Sequence, residues 1–337
     1  MSTPHDALFK AVFSDPDNAA GAIKVAMPSR LAEAIHWPGL ALCPGSFVDE
    51  LLRSRHTDLL FSTTWRDGSE ALLYLLFEHQ SSSDADMPLR LLRYQVRIWE
   101  RWRAEHPERK RLPAIIPVVL YHGAAGWSAP RSFAASLDLS SELLELVGPH
   151  VVQFYYLLDD LSDVSDEALR QRVMAALAKL TEVCFAHVWA SPDPVVVLRD
   201  YLDVVRAVAT APHGLRALAL VMRYIFEVYA RVDREALSSL LELAAGPAAK
   251  DVIMTLAEEL RQEGRQKGRQ EGHQEGRQVG RQEGRQETLL LMLRQKFGEA
   301  VDATVEQRVA AASAEQLGSW VARMVGAATL GDVLDHA

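Results

Sequence analysis

Two apolar runs separated by a short polar segment stand out in the first third of the chain. Residues 59–65 and 71–77 are rich in Leu, Phe, Thr and Tyr, and Asp67-Gly68 lies between them. An Asp-Gly pair between two such runs is a strong signal for a β-hairpin. The second run has no charged residue, which predicts a central strand that is covered on both faces.

The segments around this hairpin predict further helices and strands. Helical patterns cover 5–14, 17–35 and about 87–105, and short apolar runs predict strands at 114–121 and 151–158. Pro117 has no amide hydrogen, so it restricts how the 114–121 strand pairs. Beyond residue 165, apolar residues recur at three- and four-residue spacing, which predicts helices at 167–189, 194–210, 214–231 and 233–245.

A low-complexity repeat follows this helical region. From Arg261 the chain repeats Arg-Gln-Glu-Gly, and glycines recur at 264, 268, 272, 276, 280 and 284. Each glycine costs a helix about 1 kcal/mol relative to alanine, but a glycine ridge also permits close approach of a second helix. We therefore hypothesise a homo-oligomer that forms through residues 261–287 as a closely packed, right-handed helix pair, with a flexible charged linker as the alternative. Residues 288–337 predict a short helical unit whose first helix stops at Phe297-Gly298.

The composition is that of an ordinary globular protein. The chain has 337 residues, of which 49% are hydrophobic and 24% charged. Its apolar runs are shorter than the roughly 20 residues of a membrane span, and its first residues do not resemble a signal peptide. We therefore expect a cytoplasmic protein with no membrane partner. Two cysteines, Cys43 and Cys184, argue against a disulfide scaffold and against a cysteine-based zinc site.

The charges are unevenly distributed. The net charge of −9 opposes nucleic-acid binding, yet residues 88–111 contain eight Lys and Arg against three acids. Four of these arginines form one stripe on the 87–105 helix: Arg90, Arg93, Arg97 and Arg101. Phosphate contacts from such a stripe would hold a DNA duplex without reading its sequence. A solvated helix face is the alternative interpretation.

The predicted hairpin carries an acidic residue on each strand. Asp58 begins the first strand and Glu78 ends the second, so an antiparallel pair brings the two to the same end. Two adjacent carboxylates repel each other unless a cation lies between them, and oxygen ligands suit Mg²⁺ or Mn²⁺. A carboxylate directly after seven apolar residues is costly without a partner. Solvated acids at a strand end are the alternative.

Five blocks of sequence between residues 4 and 123 resemble the Rpn family of recombination-promoting nucleases, also described as YhgA-like transposases. The blocks are PHDALFKAVF (4–13), TDLL (57–60), LFEHQSS (76–82), MPLRLLRY (87–94) and VLYHG (119–123). The resemblance implies an α/β (α+β) fold of the PD-(D/E)XK type, with an αβββαβ core and a mixed sheet flanked by helices. We expect this nuclease core at 1–160, a helical region at 161–260, the repeat at 261–287 and a small helical C-terminal domain at 288–337. The last of these resembles a helical domain often appended to such nucleases.

The resemblance also implies an activity and its residues. It implies Mg²⁺-dependent (or Mn²⁺-dependent) cleavage of double-stranded DNA with little sequence specificity, in recombination or mobile-element transfer. By position, Asp58 and Glu78 correspond to the metal-binding acids of the family motif. Gln80 stands where the wider superfamily has a lysine, which can position or deprotonate the attacking water. Because Gln is neutral and only forms hydrogen bonds, the general base stays unassigned.

The N-terminal helix offers a replacement for the missing cation. Lys10 is the candidate, with His5 and Asp6 about one turn away and Tyr94 beside the arginine stripe as possible supports of the site. Asp6 and Lys10 are four residues apart on one helix face, so an ordinary surface ion pair is the alternative.

Other functions agree less well with the residues. The neutral Gln80 favours, to some extent, a catalytically silent DNA-binding or assembly protein of a mobile element. A Ser or Cys hydrolase lacks a nucleophile elbow, and a zinc site through His36, His56 or His79 lacks the usual ligand spacing.

Overall fold

The computed structural model describes residues 3–44, 57–78, 84–123, 125–188, 191–229 and 231–334. The chain forms two compact units, Met1–Leu256 and Ala257–Ala337. The predicted mixed α/β class is confirmed, since the first unit contains a five-stranded mixed sheet flanked by helices. The helical region predicted at 161–260 lies in the same unit as the sheet as far as Leu256. In the described ranges no helix is long and apolar enough to cross a membrane.

The sheet has the strand order β1-β2-β3-β4-β5. The strands are β1 Ala41–Leu42, β2 Thr57–Thr64, β3 Glu70–Glu78, β4 Ala114–Tyr121 and β5 Leu157–Asp160. Strands β1 to β3 pair antiparallel, whereas β3, β4 and β5 pair parallel. Pro117 lies in the central strand β4, just before the pairing with β5 begins at Val118. The prediction of a strand at 151–158 is wrong in its bounds, because the strand covers only Leu157–Asp160 and, before it, Tyr155 makes an isolated bridge to Ser132.

The predicted hairpin is confirmed as β2 and β3. Its turn is closed by a hydrogen bond from Trp65 N to Ser69 O, at 2.8 Å. Gly68 has φ of 85°, in the left-handed region that glycine occupies without steric cost. Asp67 Oδ1 accepts a hydrogen bond from Ser69 N at 2.8 Å, which stabilises the turn locally.

The N-terminal helices differ from the prediction at one point. They are α1 Pro4–Phe13, α2 Pro16–Ala26 and α3 Ser29–Ala34. The single helix predicted at 17–35 breaks at Met27, whose backbone is extended (φ −93°, ψ 143°). The cause is Pro28, because a proline disfavours the helical conformation of the residue before it.

Helix α4, Met87–Glu105, covers one face of the sheet and has the bounds that were predicted. Its buried side packs with every second residue of the central strands. The cluster contains Leu60, Leu72, Tyr74, Leu91, Tyr94, Ile98, Trp102, Ile115 and Val119. The order of α1–α3, β1–β3, α4 and β4 is the αβββαβ order that the resemblance implied.

The opposite face of the sheet is covered by other helices. The alternate residues of the same strands point away from α4 and are buried on this opposite face: Leu59, Phe61, Leu73, Val118 and Leu120. Helix α1 contacts β2 on this side, and α1 also packs on α7 (Ala176–Val183) and α10 (Gly214–Val228). The remaining helices of this unit are α5 Ser141–Val147, α6 Asp166–Gln171, α7 Ala176–Val183, α8 Pro194–Asp200, α9 Leu202–Thr210, α10 Gly214–Val228 and α11 Arg234–Ala245, with a π-helical stretch at Cys184–Val188.

A buried ion cluster links β5 to the helices. Arg172 forms two hydrogen bonds to Asp159, both at 2.7 Å, and a third to Glu182 Oε2 at 2.6 Å. All three side chains are at most 8% exposed. One cation thus faces two carboxylates, and burial raises the pKa of Glu182 to about 8. Such a cluster requires all of its members, because loss of the cation leaves buried charge uncompensated.

The second unit is helical. Helix α12, Ala248–Phe297, belongs to it from Ala257 onward and contains the whole tetrad repeat, and the chain leaves the helix at Gly298, where φ is 57°. Helices α13 Ala303–Ala310, α14 Ala314–Met324 and α15 Leu330–Leu334 complete the unit. Its core includes Leu289, Leu293, Val309, Leu317, Trp320 and Val333.

Candidate active site

Asp58 is the second residue of β2, and the hairpin register places it opposite Leu76 of β3. Both of its carboxylate oxygens are buried. Asp58 is two residues from Leu60, so the alternation of a strand directs it to the face that α4 covers. A carboxylate in such a place has a substantial desolvation cost, which neighbouring groups must offset.

Tyr74 lies next to Asp58 on the same face of the hairpin. Burial, and then the charge of Asp58 and a hydrogen bond to it, raise the pKa of Tyr74 well above its usual value of 10.0. The Tyr74 hydroxyl therefore keeps its proton at neutral pH and is a donor toward the carboxylate. From α4, the ring of Tyr94 packs on that of Tyr74 with centroids 5.5 Å apart. The ring of Tyr94 is thus in contact with Tyr74, the neighbour of Asp58, and Tyr94 lies close to the candidate site.

Arg90 brings a positive charge to this group from the first turn of α4. Its charge opposes the rise in the pKa of Tyr74, so it lies within electrostatic range of the Asp58–Tyr74 pair. Its side chain is 13% exposed and forms a 2.8 Å ion pair with Asp84, which fixes its position. A buried acid, a protonated phenol and a fixed cation are therefore brought together at this end of the hairpin.

The other arginines of the predicted stripe follow α4 away from the site. Arg93 is exposed, whereas Arg97 and Arg101 are half-buried along the edge of the packed face. Arg101 forms an ion pair with Glu105 at 2.9 Å. The helix between Arg90 and Arg101 is about 16 Å long, from a rise of 1.5 Å per residue. The arginine stripe thus begins near Asp58 with Arg90 and continues along α4 to Arg101.

Glu78 is the last residue of β3, and its backbone lies beside Tyr121 of β4. It is two residues beyond Leu76, so it is a diagonal neighbour of Asp58, at a backbone distance of about 7–8 Å. Gln80 belongs to the segment 79–83, which is outside the described residues. Among the described residues, no group of three or more His, Cys, Asp or Glu is arranged to hold a metal ion.

The residues predicted on the N-terminal helix lie elsewhere. Helix α1 packs on the sheet face opposite to α4, and His5 is buried there, with Nδ1 3.0 Å from the Tyr224 hydroxyl and its ring 4.9 Å from that of His122. Asp6 forms a capping box with Thr3, and Lys10 is exposed. The structure therefore does not bring Lys10 to the Asp58 side of the sheet.

The sequence interpretation did not single out Tyr74. It was counted as one apolar residue in the 71–77 run, although the hairpin register contains the signal that identifies it. Because Asp58 is opposite Leu76, its two diagonal neighbours on β3 are Tyr74 and Glu78.

Comparison with known families agrees with the resemblance of the five blocks. The family model described as "Putative transposase, YhgA-like" matches residues 3–216. The chain belongs to this YhgA-like family. No solved structure matches it.

Relatives of this YhgA-like chain carry nuclease names. It is 42% identical to "Recombination-promoting nuclease RpnD" of Escherichia coli O157:H7 over 123 residues, which are 36% of this chain and less than half (46%) of the relative. It is 28% identical to "Recombination-promoting nuclease RpnA" of Escherichia coli K12 over 266 residues, 77% of this chain and 84% of the relative. It is 29% identical to "Inactive recombination-promoting nuclease-like protein RpnE" of the same strain over 271 residues, 77% of this chain and 82% of the relative. The relatives thus include nucleases and an inactive nuclease-like protein.

Proposed function

We propose that this chain is a metal-dependent DNA endonuclease of low sequence specificity that promotes DNA recombination or mobile-element transfer. The observation that carries the proposal is the buried Asp58 carboxylate beside Tyr74 and Arg90, with Glu78 as its diagonal neighbour on the next strand. The names of RpnD and RpnA supply the nuclease class.

The acidic pair fits Mg²⁺ or Mn²⁺. Buried carboxylate oxygens at Asp58 are hard ligands whose desolvation cost a divalent cation offsets. Asp58 and Glu78 would hold the ion, with water and substrate phosphate as further ligands. When bound, the ion polarises the phosphodiester and lowers the pKa of a bound water.

The protein groups around the acids have positioning roles. Tyr74, buried and protonated beside the charge of Asp58, helps to position the carboxylate, and the ring of Tyr94 packs on it from α4. Arg90 contributes a fixed positive charge where a phosphate approaches. Gln80, which lies outside the described residues, has a side chain that forms hydrogen bonds and carries no charge. The test is cleavage of supercoiled plasmid by the full chain with Mg²⁺ or Mn²⁺ and with EDTA, where nicking that needs no metal would refute the proposal.

A catalytically silent DNA-binding protein is the second candidate. Gln80 in place of the superfamily lysine favours it, and so does the similarity to RpnE, which is named inactive. It predicts salt-sensitive DNA binding without cleavage under any metal condition. Binding with no cleavage would therefore decide for this candidate.

We expect the stripe on α4 to bind the DNA backbone in either case. Replacing Arg93 and Arg97 by alanine should reduce the slope of log affinity against log salt by about 0.9 for each phosphate that the variant no longer neutralises. Fluorescence anisotropy with two unrelated duplexes between 50 and 200 mM salt measures this slope. The reduction should be equal for both sequences, because phosphate contacts do not read bases.

The matched control for the stripe is Arg199→Ala with Arg206→Ala, which removes the same charge from exposed positions on α8 and α9. An equal change of slope in both double variants would contradict a role for the stripe and indicate an effect of net charge.

We also propose that α12 forms a homo-oligomer through its glycine ridge. The Cβ positions of all six repeat glycines are open, with no described atom within 4 Å of them. Alanine there costs nothing within the described chain and stabilises the helix by about 1 kcal/mol per position. A methyl group on the ridge would prevent the close approach of a second helix. Gly268→Ala with Gly272→Ala should therefore weaken the oligomer while it increases helix content.

Light scattering and circular dichroism of the full chain measure both quantities, with Gln262→Ala and Gln266→Ala on another ridge as the control. A monomeric wild type, or an unchanged oligomer in the glycine variant, would refute the proposal.

A further inference from the structure

A cleft of about 860 Å³ lies at the end of the sheet opposite to Asp58. It is lined by residues 62–65 and 68–70 of the hairpin, by 109–114 and by Trp102, and we call it the distal cleft. Thr64 lies six positions beyond Asp58 along β2, so the two ends are about 20 Å apart at 3.3 Å per residue. The distal cleft is therefore separate from the candidate active site.

Three consecutive cations line the distal cleft: Arg109, Lys110 and Arg111. All three are exposed, and within the described ranges none of them forms an ion pair, unlike Arg90 and Arg101 on α4. Glu70 is the carboxylate among the lining residues, and it accepts a hydrogen bond from Trp102 Nε1 at 3.2 Å. The cleft thus has a net positive charge in an acidic protein, as expected of a site for a polyanion.

The segment that carries these cations is held in place by the end of α4. The Arg109 amide donates to His106 O at 3.1 Å, and Arg103 Nη1 donates to Arg109 O at 3.3 Å. Further along, Trp99 Nε1 donates to Pro113 O at 2.9 Å. A backbone fixed in advance lowers the entropy cost of binding a ligand.

Helix α4 connects the distal cleft to the candidate active site. Arg90, near its start, lies close to the Asp58–Tyr74 pair, and Arg101, near its end, directly precedes the cleft residue Trp102. A duplex rises about 3.4 Å per base pair, so 20 Å corresponds to about six base pairs. The arginine stripe extends in the same direction between the two positions.

We propose that the distal cleft is a second phosphate-binding site, which holds the DNA backbone about six base pairs from the bond presented to the Asp58 end of the sheet. The inference rests on the proposed function. Arg109, Lys110 and Arg111 contact phosphates here and fix the register of the duplex without reading bases.

The first test measures the salt dependence of duplex binding by the full chain in an Asp58→Asn background, which keeps the DNA intact. Replacing Arg109, Lys110 and Arg111 by alanine should lower the slope of log affinity against log salt by about 2 to 3. The control removes three other exposed arginines: Arg199, Arg206 and Arg216. It should leave the slope near the wild-type value.

The second test places a photo-crosslinking amino acid at Leu112, a cleft residue that is 44% exposed, and at Val196 on α8 as the control, which is 50% exposed. A labelled duplex should crosslink to position 112 and should not crosslink to position 196.

The outcomes separate the two proposals. DNA binding whose salt dependence is unchanged in the triple cleft variant, with no crosslink at 112, would overturn the distal-cleft inference and leave the proposed function intact. A wild type that binds no DNA would overturn both.

Discussion

Replacing Asp58 by asparagine should reduce metal-dependent plasmid cleavage by about a thousandfold, since a metal contributes several kcal/mol to the transition state and 1.36 kcal/mol corresponds to a tenfold change in rate. Asn keeps the shape of the side chain but loses the charge that holds the cation. The same substitution removes a buried carboxylate, so the thermal midpoint should stay constant or rise. Loss of activity without loss of stability is the combination that identifies a functional acid.

Three variants complete this experiment. Glu78→Gln should give a similar loss, because the ion needs ligands from both strands. Asp138→Asn removes an exposed carboxylate outside the sheet and should keep wild-type activity. Wild-type rates in both Asp58→Asn and Glu78→Gln would show that cleavage does not depend on this pair and would refute the proposed site.

Replacing Arg172 by methionine should cost about 3–5 kcal/mol of unfolding free energy, because the buried Asp159 carboxylate then lacks its cation and Glu182 loses a hydrogen-bond partner. Urea unfolding of the full chain at pH 7 measures the change. Arg199→Met, at an exposed position, should change stability by no more than about 0.5 kcal/mol.

A variant with no charged residue in the cluster shows whether the stability lost in Arg172→Met comes from uncompensated charge or from poorer packing. Adding Asp159→Asn and Glu182→Gln to Arg172→Met should restore part of the lost stability, because no buried charge is then left uncompensated. If the triple variant is as unstable as Arg172→Met alone, packing and not charge explains the loss.

The same cluster predicts how stability depends on pH. Burial raises the pKa of Glu182 from the usual 4.5 to about 8 in the folded protein, so the folded state retains a proton that the unfolded chain releases. The stability from this group is complete below pH 4.5 and is lost as pH rises toward 8, by at most about 1.4 kcal/mol per pH unit. In Glu182→Gln this decrease should be absent, whereas Glu142→Gln on the exposed side of α5 should retain it. A decrease in Glu182→Gln as steep as in the wild type would contradict the assignment.

Local sequence signals predicted the elements around the site well. The Asp67-Gly68 turn defined the hairpin and its register, and the pattern of Met87–Glu105 predicted both ends of α4. The errors arose where one residue changes the backbone without changing the apolar pattern. Pro28 breaks a helix that periodicity alone extends, and the apolar run at 151–158 is only partly a strand.

The two acids of the candidate site could be predicted from the sequence, but the buried side chains around them could not. Asp58 and Glu78 follow from the hairpin register, whereas the contribution of Tyr74 depends on its burial beneath α4. Lys10 was proposed as the missing cation of the site only because it shares a helix face with Asp6. Which face of the sheet that helix covers is a tertiary property, and α1 covers the face opposite to α4.

The sequence by itself determined the hairpin, its acids, the arginine stripe and the family, because each depends on residues close in the chain or on a linear order of blocks. Only the tertiary structure decided which residues share a space. It buried Asp58 beside Tyr74 and Arg90, joined Arg172 to Asp159 and Glu182, and formed the distal cleft from strand ends and a loop. The physical reason is that desolvation and charge interactions depend on distances between segments, which local periodicity does not encode.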